Sequence, residues 1–75
     1  MSINDNFLER GARLKAERNR LKLTQSEMAE IIGKAVGSIV RYEKHGDALN
    51  QDQLIALSNA GFDVFYITFG LRADT

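Results

Sequence analysis

The residue types that usually carry catalysis or bind metals are sparse in this chain of 75 residues and stand apart from one another. It has no cysteine and one histidine, His45, so a metal site is not predicted, and a loop histidine near a phosphate is the most this residue suggests. Asp47, Asp52 and Asp63 stand at predicted turns and helix starts, where capping accounts for them. The sequence therefore predicts no enzyme, no cofactor, no metal and no small-molecule substrate.

Basic side chains, which could bind phosphate groups, are concentrated at the start of the chain although the formal net charge is zero. Residues 1–22 hold six bases against three acids, whereas residues 51–75 hold one base, Arg72, against three acids. A neutral domain can present one basic face, and that face governs phosphate binding. A solvated helix surface is the alternative interpretation of this cluster. The six bases are Arg10, Arg13, Lys15, Arg18, Arg20 and Lys22.

Residues 25–44 combine small, flexible and apolar residues at a spacing that suits two short helices packed at a steep angle. Ala29 provides the small side chain needed where two helices approach closely, and Gly33 tolerates the positive φ of a turn. Ile39 and Tyr42 anchor one face of the second helix and leave the other face to solvent. This is the geometry of a helix-turn-helix, whose second helix enters the DNA major groove.

Helical patterns dominate the elements that must position this unit. The first helix is predicted over residues 6–21, because Phe7, Leu14 and Leu21 lie seven residues apart on one stripe. Its other positions are mostly charged, as an exposed face requires.

The second and third helices are predicted over residues 25–32 and 36–44. Thr24 is a good N-cap, and Glu27 three residues later completes a capping box. Gly33 ends the second helix by adopting positive φ. The residues that the second helix is expected to bury are Met28, Ala29 and Ile32.

Two further helices are predicted over residues 51–59 and 64–69. Asn50 and Gln53 form a second capping box before the fourth helix, and Asp63 caps the fifth. The fifth segment, VFYITF, is β-branched and aromatic, so a strand is its alternative. The apolar face of the fourth helix is expected to consist of Leu54, Ile55 and Leu57.

Composition and element order together predict the fold class. Hydrophobic residues make up 44% and charged residues 27% of the chain, which is typical of a folded domain. Apolar runs are too short to span a membrane, and a signal peptide is not apparent, so an intracellular domain is expected. We predict one all-α domain over residues 1–75, a five-helix orthogonal bundle that contains the helix-turn-helix.

The segment TQSEMAEIIGKAVGSIVRYE resembles the helix-turn-helix of the Cro and phage-repressor (XRE-like) family of bacterial and phage transcription regulators. RLKAERNRLKLTQ before it and LIALSNAGFDVFYITFG after it resemble the flanking helices of that family, so the resemblance covers residues 10–71. It implies a lambda-repressor-like DNA-binding domain. The implied function is sequence-specific binding to double-stranded DNA by a transcriptional repressor, with helix 36–44 in the major groove.

The resemblance also implies roles for individual residues. Gln25 matches a glutamine that binds a phosphate and bridges to a side chain of the recognition helix. Arg18 and Glu43 match a partly buried pair that ties the first helix to the third and sets Arg18 near the DNA backbone. Two unrelated surface charges are the alternative for this pair. The turn and groove-facing positions of the family match Lys34, Ala35, Val36, Gly37, Ser38 and Arg41.

The predicted groove face has one side chain able to make a bidentate contact, Arg41, whose preferred partner is guanine O6 and N7. Val36 or Val40 would meet a thymine methyl, Gly37 would allow close approach of the backbone, and Ser38 would contact a phosphate or cap the helix. Alternatively, the valines extend the core and Arg41 is a surface cation. The predicted DNA-binding residues are Arg18, Thr24, Gln25, Lys34, Ala35, Val36, Gly37, Ser38, Val40, Arg41 and Lys44.

Two residues depart from the family pattern. Lys34 stands where an apolar residue is usual, and Ala35 stands where Ser or Thr usually caps the third helix. Loss of an N-cap hydroxyl costs about 1 kcal/mol, so the start of this helix is expected to be weakly held. Lys34 is expected to lay its stem over the turn and direct its ammonium to a phosphate, which compensates in part.

The C-terminal segment carries more apolar side chains than one short helix can bury, so a homodimer contact is predicted, with core packing as the alternative. A homodimer would bind a palindromic operator in the bacterial cytosol or nucleoid, with half-sites about one helical turn apart. Two other interpretations remain: an antitoxin-like or adaptor-like protein-interaction module, and the N-terminal domain of a longer repressor. The residues concerned are Phe62, Val64, Phe65, Tyr66, Ile67, Phe69 and Leu71.

Overall fold

The computed structural model describes residues 3–71, with side chains from residue 9 onward. This part of the chain is helical without a strand, which confirms the predicted all-α class. Its five helices are α1 Ile3–Arg20, α2 Gln25–Ile32, α3 Val36–His45, α4 Gln51–Asn59 and α5 Val64–Phe69. The bounds of α2, α4 and α5 agree with the sequence prediction.

Helix α1 begins three residues earlier than predicted because residues 3–5 contain neither proline nor glycine to prevent it. It ends at Arg20 because Lys22 adopts a left-handed conformation, with φ 59°. The amide of Leu23 then donates to the carbonyl of Arg18 (3.1 Å) and that of Lys22 to Asn19 (3.0 Å), a Schellman motif. The predicted contribution of Phe7 lies outside the described side chains.

Local hydrogen bonds define both the start of α2 and the turn that follows it. The Glu27 amide donates to Thr24 Oγ1 (3.0 Å), and the Thr24 amide donates to the Glu27 carboxylate (2.8 Å), which confirms the capping box. Gly33 has φ 67°, and the amide of Lys34 after it donates to the carbonyl of Ala29 (3.0 Å). The predicted role of Gly33 as the helix stop is therefore confirmed.

The two later caps are also confirmed. Asn50 Oδ1 accepts from the amide of Gln53 (2.8 Å), and Gln53 Oε1 accepts from the amide of Asn50 (2.9 Å). Asp63 Oδ1 accepts from the amide of Tyr66 (2.9 Å) at the start of α5. With its first turn capped in this way, the β-branched C-terminal segment is a helix rather than a strand.

The core lies between all five helices, but α4 is rotated relative to the prediction. Ile55 is 50% exposed, so its assignment to the buried face was wrong. Leu57 is buried as predicted, and Gln53 is buried in place of Ile55, which lies two residues from each, about 200° around the helix. Gln53 can occupy a core-facing position because its polar atoms bond to Asn50 and to the Tyr42 hydroxyl (3.4 Å). The core residues are Leu14, Met28, Ala29, Ile32, Ile39, Leu57, Phe62 and Ile67.

Three arginines of α1 bond to carbonyls at the ends of other helices, where acceptors lack helical partners. Arg10 Nε donates to the carbonyl of Gly46 (2.8 Å), Arg13 Nε to that of Ile67 (3.1 Å), and an Arg20 terminal nitrogen to that of Gly61 (2.8 Å). Arg20 also binds the buried carboxylate of Glu17 through two nitrogens. Much of the N-terminal basic cluster therefore holds the bundle together and does not form a free basic face.

Candidate nucleic-acid interface

Helix α3 packs against α1 and α2, and a glycine sets its distance from α1. Gly11 is buried, and a Cβ built on it would collide with the carbonyl oxygen of Glu43 and lie 2.9 Å from that of Tyr42. The backbones of α1 and α3 therefore meet at this point. Sequence reasoning missed Gly11; the available signal was a glycine inside a predicted helix, which often marks close packing.

An ion pair through the side chain of Glu43 fixes the orientation of α3. Arg18 Nε and a terminal nitrogen donate to the two carboxylate oxygens of Glu43, at 2.6 and 3.2 Å. Gln25 Nε2 donates to the same carboxylate at 3.1 Å, so α1, α2 and α3 meet at Glu43. This geometry agrees with the pairing that the resemblance implied and is incompatible with two unrelated surface charges. The bridge from Gln25 to α3 also forms.

The position of Arg18 departs from the predicted contact with the DNA backbone. Arg18 is only 8% exposed, and its remaining terminal nitrogen donates to the carbonyl of Leu23 (2.9 Å). A buried guanidinium is stable only when it is paired and hydrogen-bonded, and this one is satisfied inside the protein. Arg18 therefore positions α3 and does not present its charge to solvent.

The start of α3 lacks a side-chain cap, in agreement with the expectation for Ala35. Ala35 adopts the extended N-cap conformation (φ −72°, ψ 154°) but makes no side-chain capping bond. Its backbone carbonyl accepts a hydrogen bond from the amide of Ser38 (3.0 Å). Lys34 is exposed immediately before it, and Thr24 is exposed at the neighbouring N-terminus of α2. The start of α3 therefore lies at the turn itself, whereas the start of α2 lies at the other end of that eight-residue helix.

The outward face of α3 is the one that helical spacing predicted. Val36 and Val40 are 41% and 44% exposed, whereas Ile39 is fully buried, so the valines do not extend the core. Around a Cβ built on Gly37, no heavy atom of the described residues lies within 4 Å. Lys44 is exposed at the far end of the same helix, and Ser38 is half-buried.

Arg41 lies on this face but has a partner that sequence reasoning did not assign. Its Nε donates to Asp47 Oδ2 at 2.6 Å, with the two side chains 70% and 35% exposed. This hydrogen bond, together with the negative charge of Asp47, raises the pKa of the Arg41 guanidinium above its usual value. Asp47 had been assigned a turn role only, and its position two residues beyond α3 gave no signal of this contact.

Across residues 9–71, no group of three or more His, Asp or Glu side chains is arranged to hold a metal ion. Within the described chain, no helix is long and apolar enough to cross a membrane. The features present are a helix, α3, with one exposed face, a glycine-bounded turn before it, and two supporting helices fixed by a buried ion pair. They define the helix-turn-helix class of DNA-binding domain.

Comparison with known proteins places the chain within this class. Residues 14–61, well over half of the chain, match a family model described as Helix-turn-helix. The chain belongs to this family, the Cro and phage-repressor (XRE-like) type of DNA-binding regulatory domain. No curated protein and no solved structure matched the chain.

Proposed function

We propose that this chain is a sequence-specific repressor of bacterial or phage transcription that inserts α3 into the major groove of double-stranded DNA. The observation that supports this most strongly is the outward face of α3. It is exposed along its length, and the buried Glu43 network holds the helix rigidly against α1 and α2. A recognition element held in this way loses little conformational entropy when it binds.

The contacts divide into two kinds under this proposal. Arg41 reads a guanine, Val36 and Val40 meet thymine methyl groups, and Gly37 lets the helix backbone approach the base edges. The remaining residues bind the phosphate backbone at the two helix starts and at the end of α3, where free amides and positive charge favour anions. These are Thr24, Gln25, Lys34, Ala35, Ser38 and Lys44.

The proposed assembly is a homodimer in the bacterial cytoplasm that binds a palindromic operator. Phe65, Phe69 and Leu71 are exposed on or just after α5, and the two phenylalanine rings lie 5.0 Å apart. A second copy of this surface would cover these side chains and bring two recognition helices to one site. Such symmetry matches half-sites about one turn of DNA apart.

A second candidate is a protein-interaction module that uses the same C-terminal apolar surface on a different partner. It is favoured by the limited hydrogen-bonding capacity of α3, where Arg41 is the one outward side chain able to make a bidentate contact and is already paired with Asp47. Under this alternative, α3 is a solvated face and binds no nucleic acid.

Salt-dependent binding separates the two candidates. Fluorescence anisotropy with labelled random duplexes at several salt concentrations measures the slope of log K against log salt. The repressor proposal requires a clearly negative slope, of about −0.9 for each phosphate contacted. An interaction module gives no measurable binding. Selection of duplexes from a random library then identifies the operator, which should be palindromic.

A further inference from the structure

We infer that Asp47 determines the base preference of the recognition helix by fixing the orientation of Arg41. This inference rests on the proposed function, since it requires α3 to read base edges. Asp47 acts through Arg41 and makes no base contact of its own, so it is a positioning residue.

The backbone that carries Asp47 is held in place. Gly46, immediately before it, is buried, has φ 69°, and its amide donates to the carbonyl of Tyr42 (2.9 Å). Arg10 of α1 binds the Gly46 carbonyl. Exposed ion pairs usually contribute little, partly because two mobile side chains must be ordered. Here the carboxylate belongs to a short side chain on an anchored turn, so mainly the arginine has to be ordered.

The edge of the guanidinium that Asp47 binds leaves a defined set of donors. Asp47 Oδ2 lies 2.6 Å from Nε, so the two terminal nitrogens are the donors directed away from this contact. Guanine presents two acceptors, O6 and N7, in the major groove, whereas adenine and cytosine each present an amino donor there. An arginine held end-on matches guanine and places a donor against a donor at adenine and cytosine, and thymine offers only one acceptor beside its methyl group.

The same pair also reduces binding to DNA of any sequence. A guanidinium tied to a carboxylate cannot swing freely to a nearby phosphate, and the pair has no net charge. Arg41 therefore adds little to the non-specific attraction that comes from phosphate contacts. Both effects increase discrimination, because affinity for sites with guanine rises and affinity for DNA of other sequence falls.

Asp47→Asn in the full chain tests this directly, because it keeps the side-chain size and removes the charge. Affinities are measured for the selected operator, for operators with the Arg41 base pair replaced, and for random duplex. Wild type should prefer guanine by about five- to 150-fold, the equivalent of one good bidentate contact. The variant should lose most of this preference and bind random duplex more tightly. Asp52→Asn, which removes one exposed acid at the start of α4, is the matched control and should change neither quantity.

Three results would overturn the inference. Equal tightening on every duplex would mean that Asp47 acts only by its charge. A guanine preference unchanged both in Asp47→Asn and in Asp47→Ala, which also removes the hydrogen-bond acceptor, would mean that Asp47 does not orient Arg41. An effect of Asp47→Asn on base preference that persists in an Arg41→Ala background would mean that it acts without Arg41. If wild type shows no salt-dependent DNA binding, the proposed function falls and the inference falls with it. If wild type prefers guanine and the variants keep that preference, the inference is overturned and the proposed function stands.

Discussion

The substitution Gly37→Ala should raise the stability of the domain while weakening DNA binding. Gly37 lies in the first turn of α3, and the structure places no heavy atom of the described residues within 4 Å of an added methyl group. Replacing a helical glycine by alanine without strain stabilises by about 0.4–1 kcal/mol, chiefly by restricting the unfolded chain. In a domain of this size the melting temperature should rise by about 2–8 °C.

The same methyl group would stand between α3 and the floor of the groove. Overpacking in a close contact costs about 1–3 kcal/mol, so affinity for the operator should fall by about five- to 150-fold. Thermal unfolding followed by circular dichroism measures the first effect, and fluorescence anisotropy with the selected operator measures the second. A higher melting temperature together with weaker operator binding would show that Gly37 leaves space for the DNA. A simple helix defect would give the higher melting temperature alone.

Gly11→Ala is the matched control, because it makes the same chemical change inside α1. There the methyl group would collide with the backbone of α3 at Glu43, so the melting temperature should fall. The reasoning about α3 is refuted if Gly37→Ala lowers the melting temperature. The assignment of Gly37 to the DNA interface is refuted if the variant is stabilised and its operator affinity is unchanged.

Three further predictions concern stability and binding. Glu43→Ala leaves Arg18 buried without its carboxylate and should lower the free energy of unfolding by about 3–5 kcal/mol in urea denaturation; a loss near zero would show that the pair is not structurally important. Lys22 is a non-glycine residue in the left-handed region, so Lys22→Gly should raise the free energy of unfolding by about 1 kcal/mol in the same assay. A lower free energy of unfolding would contradict the Schellman ending of α1. Lys34→Ala should reduce the salt slope of DNA binding by about one unit, measured beside Lys15→Ala on α1 as a control expected to leave the slope unchanged. An unchanged slope for Lys34→Ala would remove Lys34 from the phosphate contacts.

Features that reduce helix stability coincide in the first turn of α3. Ala35 provides no side-chain cap, and Gly37 has low helix propensity. Under the proposed function this turn is also the one nearest the DNA. Hydrogen bonds from its free amides to phosphate would then supply the stabilisation that a side-chain cap usually gives.

The sequence by itself determined the features that depend on residues close together in the chain. Both capping boxes and the left-handed Gly33 were predicted correctly, because each involves groups within about one helical turn. The outward face of α3 was also predictable, since burying Ile39 and Tyr42 fixes the rotation of so short a helix. The pairing of Arg18 with Glu43 was expected only from the family resemblance.

The tertiary structure alone decided what depends on the packing of distant segments. Arg10 and Gly46 are 36 residues apart, and only the docking of α1 on the end of α3 shows that this arginine is a structural group. The contact of Gly11 with α3 arises in the same way. Asp47 meets Arg41 because a left-handed glycine turns the chain back beside α3, a path that residue types do not specify. Local chemistry therefore placed α3 and its outward face, and long-range packing decided which arginines of α1 are structural groups.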